Sequence, residues 1–368
     1  MKALPAKQQM KRSLSDGQTT IRLPAEMSVE MPIGATIAID TGRRFNKIGL
    51  LKDSQTIVVE KLPSFFTEMK EKNFVSGGGF LARNERKGSI KNRLSFSYGG
   101  KLYSVGRRAA AFGGTVGLGE DKTVNLLPRI LAALTLFNLE GKVNLCLTIP
   151  FKDAADFREQ EALATDQIKD KLTWSVQGET HKAEINSLLI VPESFYAERF
   201  PRIYDSDLPD LRGIPRVVID LGYQTIIFGV LDEEDCFDPA LSVCHDGMGL
   251  NQFYSWVAQQ CGFDNPESVD FVEAVNTSSE TFRPQGSSSE LYLTDAIELA
   301  ADRYLQHLTR LCTESIPAGI KHFVVVGGGA YQFGSRLVSE LDWASGFKSP
   351  EPDIANVVAQ CLGMVAEL

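Results

Sequence analysis

The fold of this chain is decided by one stretch in its second half, which reads Val217-Val218-Ile219-Asp220-Leu221-Gly222-Tyr223-Gln224-Thr225-Ile226-Ile227-Phe228-Gly229-Val230. An apolar run ends in Asp-x-Gly, the chain turns, and a second apolar run follows. This pattern predicts a β-hairpin with a tight turn at Gly222 to Gln224. Asp220 then lies at the tip of a buried strand beside a glycine turn. Such a tip suits phosphate and Mg²⁺, because backbone N–H groups can face phosphate oxygens and a carboxylate can hold the ion through water.

The same pattern occurs 180 residues earlier, where an apolar run leads into Asp40-Thr41-Gly42 and a second apolar run begins at Ile48. A single Asp-x-Gly hairpin is most often only a surface turn. Two such units in one chain favour two similar halves, with phosphates held between their hairpins.

A third glycine motif lies near the end of the chain. The apolar run from His322 to Val326 leads directly into Gly327-Gly328-Gly329 and then into a helical pattern. Glycines allow close backbone approach, and a helix start offers free N–H groups to an anion. The motif is neither Gly-x-x-x-x-Gly-Lys-Ser/Thr nor Gly-x-Gly-x-x-Gly, so a Walker-type loop is excluded and a dinucleotide-binding fold has no support. A tight strand-to-helix turn is the simpler alternative.

Glu193 directly follows another apolar run, residues 187–191, and one proline. Open α/β sheets bind ligands at the carboxyl ends of their strands, so this carboxylate is a candidate for orienting an attacking water. Considered without the other motifs, Glu193 is an ordinary glutamate of a loop or a helix start.

Composition limits the classes of function. A chain of 368 residues has room for two or three domains, and its net charge of −9 argues against a generally basic nucleic-acid surface. No apolar run approaches the roughly 20 residues of a membrane span, and the lysine-containing N-terminus lacks the apolar core of a secretory signal. The six cysteines are scattered without a Cys-x-x-Cys pair, which indicates reduced core residues in a cytoplasmic protein. The four histidines show no metal-ligand spacing.

Changes in composition predict the domain organisation. Residues 1–32 are polar and of mixed charge, and we expect a flexible tail, with a partner-binding arm as the alternative. Residues 33–205 are predicted to form a first domain, to which the C-terminal helix at 345–368 returns. Residues 206–344 are predicted to form a second domain, after a link at 205–215 that is rich in aspartate and proline.

The motifs, taken in this order, resemble those of the actin/chaperone/sugar-kinase ATPase superfamily, and within it the bacterial and archaeal actin-like proteins of the ParM (StbA) type. Lys47 follows Asp40 by seven residues, as in the first phosphate loop of that family. Pro192-Glu193-Ser194 and Gly327-Gly328-Gly329-Ala330 resemble its Pro-Glu-Ser strand end and its adenosine motif. The segment from Pro352 to Val357 is similar to Pro-x-Phe-Ala-Asn-Val/Ala, with Ile354 replacing the phenylalanine.

Two departures from the family stand at the phosphate turns. Arg43-Arg44-Phe45 replaces the small residues that usually follow the first Asp-x-Gly, and Tyr223-Gln224 precedes Thr225 in the second. Bulky residues at both turns count against tight binding and fast hydrolysis.

The resemblance implies an α/β fold of two ribonuclease-H-like, actin-like domains around a central nucleotide cleft that holds ATP or GTP with Mg²⁺. It implies that Asp40 and Asp220 hold the hydrated Mg²⁺, that Lys47 reaches the β- and γ-phosphates, and that Glu193 positions the attacking water. The other residues for which it implies nucleotide contacts are Thr41, Gly42, Gly222, Tyr223, Gln224, Gly247, Gly327, Gly328 and Gly329.

The function implied by the resemblance is that of a cytoplasmic ATPase, possibly a GTPase, that polymerises into nucleotide-dependent filaments. Such filaments separate plasmid copies through a DNA-bound adaptor protein, without direct binding of nucleic acid, or serve as a cytoskeletal scaffold. Two alternatives from the same superfamily stay open, a non-polymerising nucleotide-binding switch and a small-molecule kinase. A chaperone ATPase would need a C-terminal peptide-binding domain, and we expect none in the sequence up to Leu368.

Overall fold

The structure is a computed structural model that describes residues 17–69, 91, 93–115, 123–197, 203–205 and 207–367. These residues form two compact α/β units, as the sequence predicts. The N-terminal unit takes the described residues within Asp16–Pro150, Ala155–Glu193 and Val357–Leu368, and the C-terminal unit takes those within Phe151–Ala154 and Ser194–Asn356. No helix of the described residues is long and apolar enough to span a membrane.

The N-terminal unit is built on one large sheet. Its described strands are β1 (Gln18–Arg22), β2 (Ala35–Thr41), β3 (Phe45–Asp53), β4 (Thr56–Pro63), β5 (Phe66–Met69), β6 (Ser95–Tyr98), β7 (Lys101–Val105), β8 (Gly141–Ile149), β9 (Lys171–Val176) and β10 (Glu179–Pro192). They lie in the order β1-β4-β3-β2-β8-β10-β9-β6-β7-β5. Because β2, β8 and β10 run parallel to one another, their carboxyl ends meet at one edge of the sheet.

The helices of this unit are α1 (Arg107–Ala111), α2 (Leu126–Leu136), α3 (Ala154–Gln167) and α8 (Ala355–Glu367), the last two of which each begin with residues of the other unit. Buried apolar residues of β2 and β8, such as Ile37 and Leu145, form one core with Ile130 and Leu134 of α2. Each such side chain contributes roughly 1.5 to 3 kcal/mol when it is removed from water. The buried strands are therefore anchored by apolar packing.

Part of the predicted N-terminal tail is ordered, which corrects that part of the prediction. Residues 18–22 form β1, which pairs antiparallel with β4 from Gln18↔Glu60 to Arg22↔Thr56. Ile21 and Leu23 are buried. Short β-branched runs add readily to the edge of a sheet, and the polar neighbours of this run hid that tendency in the sequence. Residues 1–16 of the predicted tail lie outside the described residues.

The C-terminal unit has a smaller mixed sheet. Its described strands are β11 (Arg216–Leu221), β12 (Thr225–Leu231), β13 (Val243–Asp246), β16 (His322–Val326) and β17 (Ser345–Lys348), in the order β13-β12-β11-β16-β17. A short ribbon joins β14 (Thr281–Phe282) and β15 (Leu291–Tyr292). The helices are α4 (Leu250–Cys261), α5 (Val269–Asn276), α6 (Thr294–Ser315) and α7 (Ala330–Glu340). The predicted hairpin at 217–230 is confirmed as β11 and β12, and β16 pairs parallel with β11 so that Val326 lies beside Asp220.

The two units divide at Ser194, whereas the sequence placed the domain boundary after residue 205. Ala197 packs in a buried cluster with Val218 and Leu231 of the C-terminal unit. Apolar packing thus assigns residues 194–197 to that unit, ahead of the aspartate- and proline-rich segment.

Two histidines of the C-terminal unit make its stability depend on pH. Burial lowers the pKa of His245, whose Nε2 lies 2.8 Å from Ser315 Oγ, and of His307, where Arg310 adds to the effect. In the unfolded chain both imidazoles take up protons near pH ~6.5. Below that pH the unfolded state binds more protons than the folded state, so stability falls as the pH falls.

We therefore expect the free energy of unfolding to decrease from pH 7.5 to pH 5.5, as measured by urea denaturation. The His245→Gln and His307→Gln variants should lose less stability over this range than the unchanged protein. An unchanged pH slope in both variants would contradict the assignment.

Candidate functional site

In the N-terminal unit, the first predicted carboxylate is paired with the predicted phosphate-binding lysine. Asp40, at the end of β2, is only 3% exposed and lies opposite Lys47 of β3 in the hairpin register. Lys47 Nζ donates to Asp40 Oδ2 over 2.8 Å. A buried carboxylate needs such a partner to stay charged, and the pair places an anion and a cation at the hairpin tip.

The turn that follows Asp40 is fixed by Ser64. Its Oγ donates to the Gly42 carbonyl over 2.5 Å, and its backbone N–H donates to the Arg44 carbonyl over 3.0 Å. A Cβ atom on Gly42 would lie 2.5 Å from the Phe45 carbonyl oxygen, so the turn tolerates only glycine there. Ser64 was not predicted from the sequence, because it lies just beyond β4 and far from the hairpin in sequence.

Two threonine hydroxyls add polar groups to the same edge of the sheet. Thr148 of β8 is the cross-strand partner of Asp40, and Thr41 follows Asp40 directly. Their Oγ1 atoms are buried and have no hydrogen-bond partner among the described residues. Buried hydroxyls normally find a partner, so this edge suits a polar ligand. Thr148 was not singled out from the sequence, although a hydroxyl at the end of the apolar run before Pro150 was a usable signal.

Glu193 lies at this edge as well. It directly follows β10, it is 5% exposed, and its backbone N–H donates to the Ile149 carbonyl over 2.9 Å. Asp40, Thr148 and Glu193 thus stand at the ends of three neighbouring parallel strands, β2, β8 and β10.

In the C-terminal unit, the second predicted carboxylate is held by two donors. Asp220 of β11 is 7% exposed, and its Oδ2 accepts from Ser194 Oγ over 3.0 Å and from Asn356 Nδ2 over 2.7 Å. Its other oxygen, Oδ1, faces Gly327, where a Cβ atom would lie only 2.2 Å away. Two hydrogen bonds therefore hold one carboxylate oxygen of Asp220, and the backbone of Gly327 lies close to the other oxygen.

The three glycines after β16 form a backbone turn fixed on both sides. Gly327 has a left-handed φ of +86°, and its N–H donates to the Pro352 carbonyl over 2.8 Å. Gly329 N–H donates to the Leu221 carbonyl, also over 2.8 Å. A Cβ atom on Gly328 would meet nothing within 4 Å, so open space borders this residue. The turn thus offers a flat, side-chain-free surface.

The loop that accepts from Gly327 is held by Tyr331 of α7. The Tyr331 hydroxyl lies 2.7 Å from an oxygen of Asp353 and 3.1 Å from one of Glu351. Burial, and then the two carboxylates, raise the pKa of Tyr331, which stays protonated and donates. This hydroxyl fixes both residues that flank Pro352, and through the Pro352 carbonyl it supports the glycine turn.

The turn between β11 and β12 packs against the start of α4. The carbonyls of Gly222, Tyr223 and Gln224 accept from the N–H groups of Leu250, Asn251 and Gly249 over 2.8 to 3.1 Å. These helix-start N–H groups are therefore occupied. The Gly222 N–H, which the resemblance assigns to phosphate, donates to the Thr225 carbonyl over 2.9 Å, because the tight hairpin closes on itself.

Gly247 is separated from these contacts. It has a φ of +72°, and a Cβ atom there would meet nothing within 4 Å. The next residue, Met248, accepts from Tyr304 Oη through its carbonyl over 3.1 Å. Tyr304 of α6 thus fixes the segment that contains Gly247.

In each unit, considered by itself, the groups beside the buried carboxylate suit a magnesium-bound nucleotide in their chemistry. Carboxylate oxygens are hard ligands suited to Mg²⁺, which in nucleotide sites needs only one or two carboxylates besides phosphates and water. Within the described ranges, no group of three or more His, Cys, Asp or Glu residues could hold a metal alone. Gly327 keeps the backbone close to the Asp220 carboxylate, and the Thr41 and Thr148 hydroxyls can donate to a polar ligand.

Comparison with known proteins shows what this arrangement resembles. Residues 38–195 match the family model described as the N-terminal domain of actin-like proteins. A search of curated proteins gave no match.

Solved structures with a similar fold cover almost the whole chain. A 15-stranded ParM filament from Clostridium botulinum has a TM-score of 0.65 at 15% identity, covering 91% of this chain and 99% of that one. The archaeal actin homologue Ta0583 in complex with ADP has a TM-score of 0.66 at 17% identity, with 90% and 99% covered. The actin-like protein Alp7A has a TM-score of 0.67 at 15% identity, with 90% and 96% covered.

Proposed function

We propose that this chain is an actin-like nucleoside-triphosphate hydrolase whose nucleotide state controls its polymerisation into filaments. The match of residues 38–195 and the shared fold confirm the resemblance found in the sequence. One observation carries the proposal of activity. Each unit places a buried carboxylate, Asp40 or Asp220, at the end of a strand beside a glycine turn.

The residues around Asp40 and those around Asp220 suit phosphoryl transfer, which depends mainly on positioning and on charge stabilisation. Asp40 and Asp220 would hold the hydrated ion, and Lys47 would present its ammonium as a point charge to the β- and γ-phosphates. Glu193 orients the attacking water through its carboxylate. When bound, Mg²⁺ neutralises the negative charge that develops on the phosphates.

Backbone groups provide the remaining contacts in this proposal. Thr41 and Gly42 in one hairpin, and Tyr223 and Gln224 in the other, present their turns to the phosphates. The nucleoside lies against the flat glycine turn at Gly327, Gly328 and Gly329, where Gly328 borders open space. Gly222 lets the backbone of its turn approach the phosphates closely, and Gly247 lies at the pocket that holds the nucleotide base. ATP and GTP both fit this description, and a relative with this fold has been solved with ADP.

The proposed assembly is a filament of identical subunits. ParM from Clostridium botulinum, which shares the fold, forms a 15-stranded filament. A head-to-tail contact that does not close on itself repeats without limit and produces such open polymers. We propose that the filament of this chain separates plasmid or other DNA copies through a DNA-bound adaptor protein, or acts as a scaffold in the cytoplasm.

Light scattering at 90° with simultaneous measurement of phosphate release tests this proposal. With Mg²⁺ and ATP or GTP, we expect scattering to rise and then to decay as phosphate is released. Protein without nucleotide, and protein with nucleotide and EDTA, are the controls. Phosphate release with a flat scattering trace would contradict the filament, and neither signal with either nucleotide would contradict the hydrolase.

A non-polymerising nucleotide switch is the second candidate, and the geometry of the second hairpin favours it. The Gly222 N–H is used inside the turn, and the Tyr223 ring stacks on Tyr254 with ring centroids 5.9 Å apart. A turn with fewer available N–H groups stabilises transition-state charge less well, so hydrolysis would be slow. Tight nucleotide binding without phosphate release or scattering would support the switch.

A further inference from the structure

We propose that Ser194 and Asn356 are positioning residues that orient Asp220 toward its metal ion. The inference rests on the proposed function, since it concerns how the same carboxylate is held. Neither residue is required to touch the nucleotide. Their role is to act on Asp220 through the two hydrogen bonds described above.

Both donors converge on one oxygen. Ser194 Oγ lies 3.0 Å and Asn356 Nδ2 lies 2.7 Å from Asp220 Oδ2. Ser194 is 1% exposed and Asn356 is 4% exposed, so water competes little for these bonds. Hydrogen bonds to a charged acceptor are about twice as strong as neutral ones, and two of them on one oxygen fix the plane of the carboxylate. The second oxygen, Oδ1, then keeps a constant direction.

The backbone of Ser194 indicates that its hydroxyl matters. Ser194 has a left-handed φ of +75°. Glycine adopts this conformation without steric cost, whereas serine pays a conformational penalty there. A glycine at this position would lack the hydroxyl, which in this protein donates a hydrogen bond to Asp220. Strained backbone of this kind persists where the surrounding structure requires it, often at functional sites.

Asn356 provides the second constraint from the first turn of α8. Its Nδ2 is the only group of the side chain amide that can donate to a carboxylate. The opposite amide orientation would place two oxygens 2.7 Å apart and repel. The two donors come from positions 26 and 136 residues away from Asp220, so the carboxylate is fixed by separate parts of the C-terminal unit.

Groups that orient metal-binding carboxylates typically change metal affinity 10- to 100-fold when they are removed. The test uses the full chain with three variants, Ser194→Gly, Ser194→Ala and Asn356→Ala. The probe is a fluorescent N-methylanthraniloyl-ATP, and its dissociation constant is measured across a series of Mg²⁺ concentrations and in EDTA. We expect the Mg²⁺ concentration for half-maximal binding to rise about tenfold in each variant, while the affinity in EDTA changes less than twofold.

Ser278→Ala is the matched control. Ser278 also has a left-handed φ, +51°, and belongs to the same unit, but it is exposed and has no contact with Asp220. Its removal should leave the Mg²⁺ dependence unchanged. Ser194→Gly separates positioning from folding, because it removes the hydroxyl and the backbone penalty together. We expect its melting temperature to match that of the unchanged protein although its Mg²⁺ dependence shifts.

The outcomes separate this inference from the proposed function. If the unchanged protein binds the probe with Mg²⁺ and all three variants retain its Mg²⁺ dependence, the positioning role is overturned and the proposed function stands. If affinity falls equally with Mg²⁺ and in EDTA, Ser194 and Asn356 are structural and the inference is also overturned. If the unchanged protein binds neither this probe nor the corresponding N-methylanthraniloyl-GTP, the proposed function fails, and the inference fails with it.

Discussion

Replacement of Asp220 by asparagine is expected to lower nucleotide-dependent phosphate release by at least about 100-fold, and replacement by alanine should abolish it. Asp220 is the carboxylate that we propose holds the hydrated ion in the C-terminal unit, and asparagine removes its charge at almost constant volume. Asparagine can still accept from Ser194 and Asn356 through its amide oxygen. Alanine leaves both buried donors unpaired, which costs about 1 to 3 kcal/mol of stability for each.

The measurement is phosphate release at saturating nucleotide and Mg²⁺, with thermal unfolding of each variant as the check on folding. Asp302→Asn is the control, because Asp302 is an exposed carboxylate of the same unit that forms an ion pair with Arg336 at 2.7 Å. It should keep full activity. Turnover by Asp220→Asn equal to that of the unchanged protein would remove Asp220 from the site.

The sequence predicts the strands that carry Asp40 and Asp220 correctly, for reasons that are local. Each Asp-x-Gly joins two apolar runs of strand length. The hairpins β2–β3 and β11–β12 can therefore be predicted from the hydrophobic pattern and the turn residues alone. The pairing of Asp40 with Lys47 follows from the same register, since a tight hairpin places these two residues opposite each other. The strand before Gly327 was predicted for the same local reason.

The contacts that orient the site depend on tertiary structure, and local patterns do not contain them. Ser194 and Asn356 meet at Asp220 although they come from distant parts of the chain. Ser64 fixes the Gly42 turn from 22 residues away. The N–H groups at the start of α4 are occupied by carbonyls of the β11–β12 turn, and this contact also forms only in the folded unit.

Replacement of Gly327 by alanine is expected to destabilise the protein by about 2 to 4 kcal/mol and to remove nucleotide binding. The Cβ atom would lie 2.2 Å from Asp220 Oδ1 and 2.7 Å from the Leu221 carbonyl oxygen. The Asp220 side chain cannot move aside without losing its bonds to Ser194 and Asn356. The Leu221 carbonyl is backbone at the end of β11, and it accepts from Gly329, so its movement would disturb the glycine turn as well.

Two further glycine variants separate the steric clash at Gly327 from the conformational free energy that alanine costs in a left-handed backbone conformation. Gly286 has a φ of +80° and no atom within 4 Å of its Cβ position, so Gly286→Ala carries the backbone penalty alone and should bind nucleotide normally. Gly328→Ala should fold normally, because its Cβ position is open, but should bind the fluorescent nucleotide more weakly if the nucleoside lies against this turn. Urea denaturation and probe binding of the three variants give the comparison. Normal binding by Gly327→Ala would show that Oδ1 of Asp220 can move without consequence, which the proposed metal site does not allow.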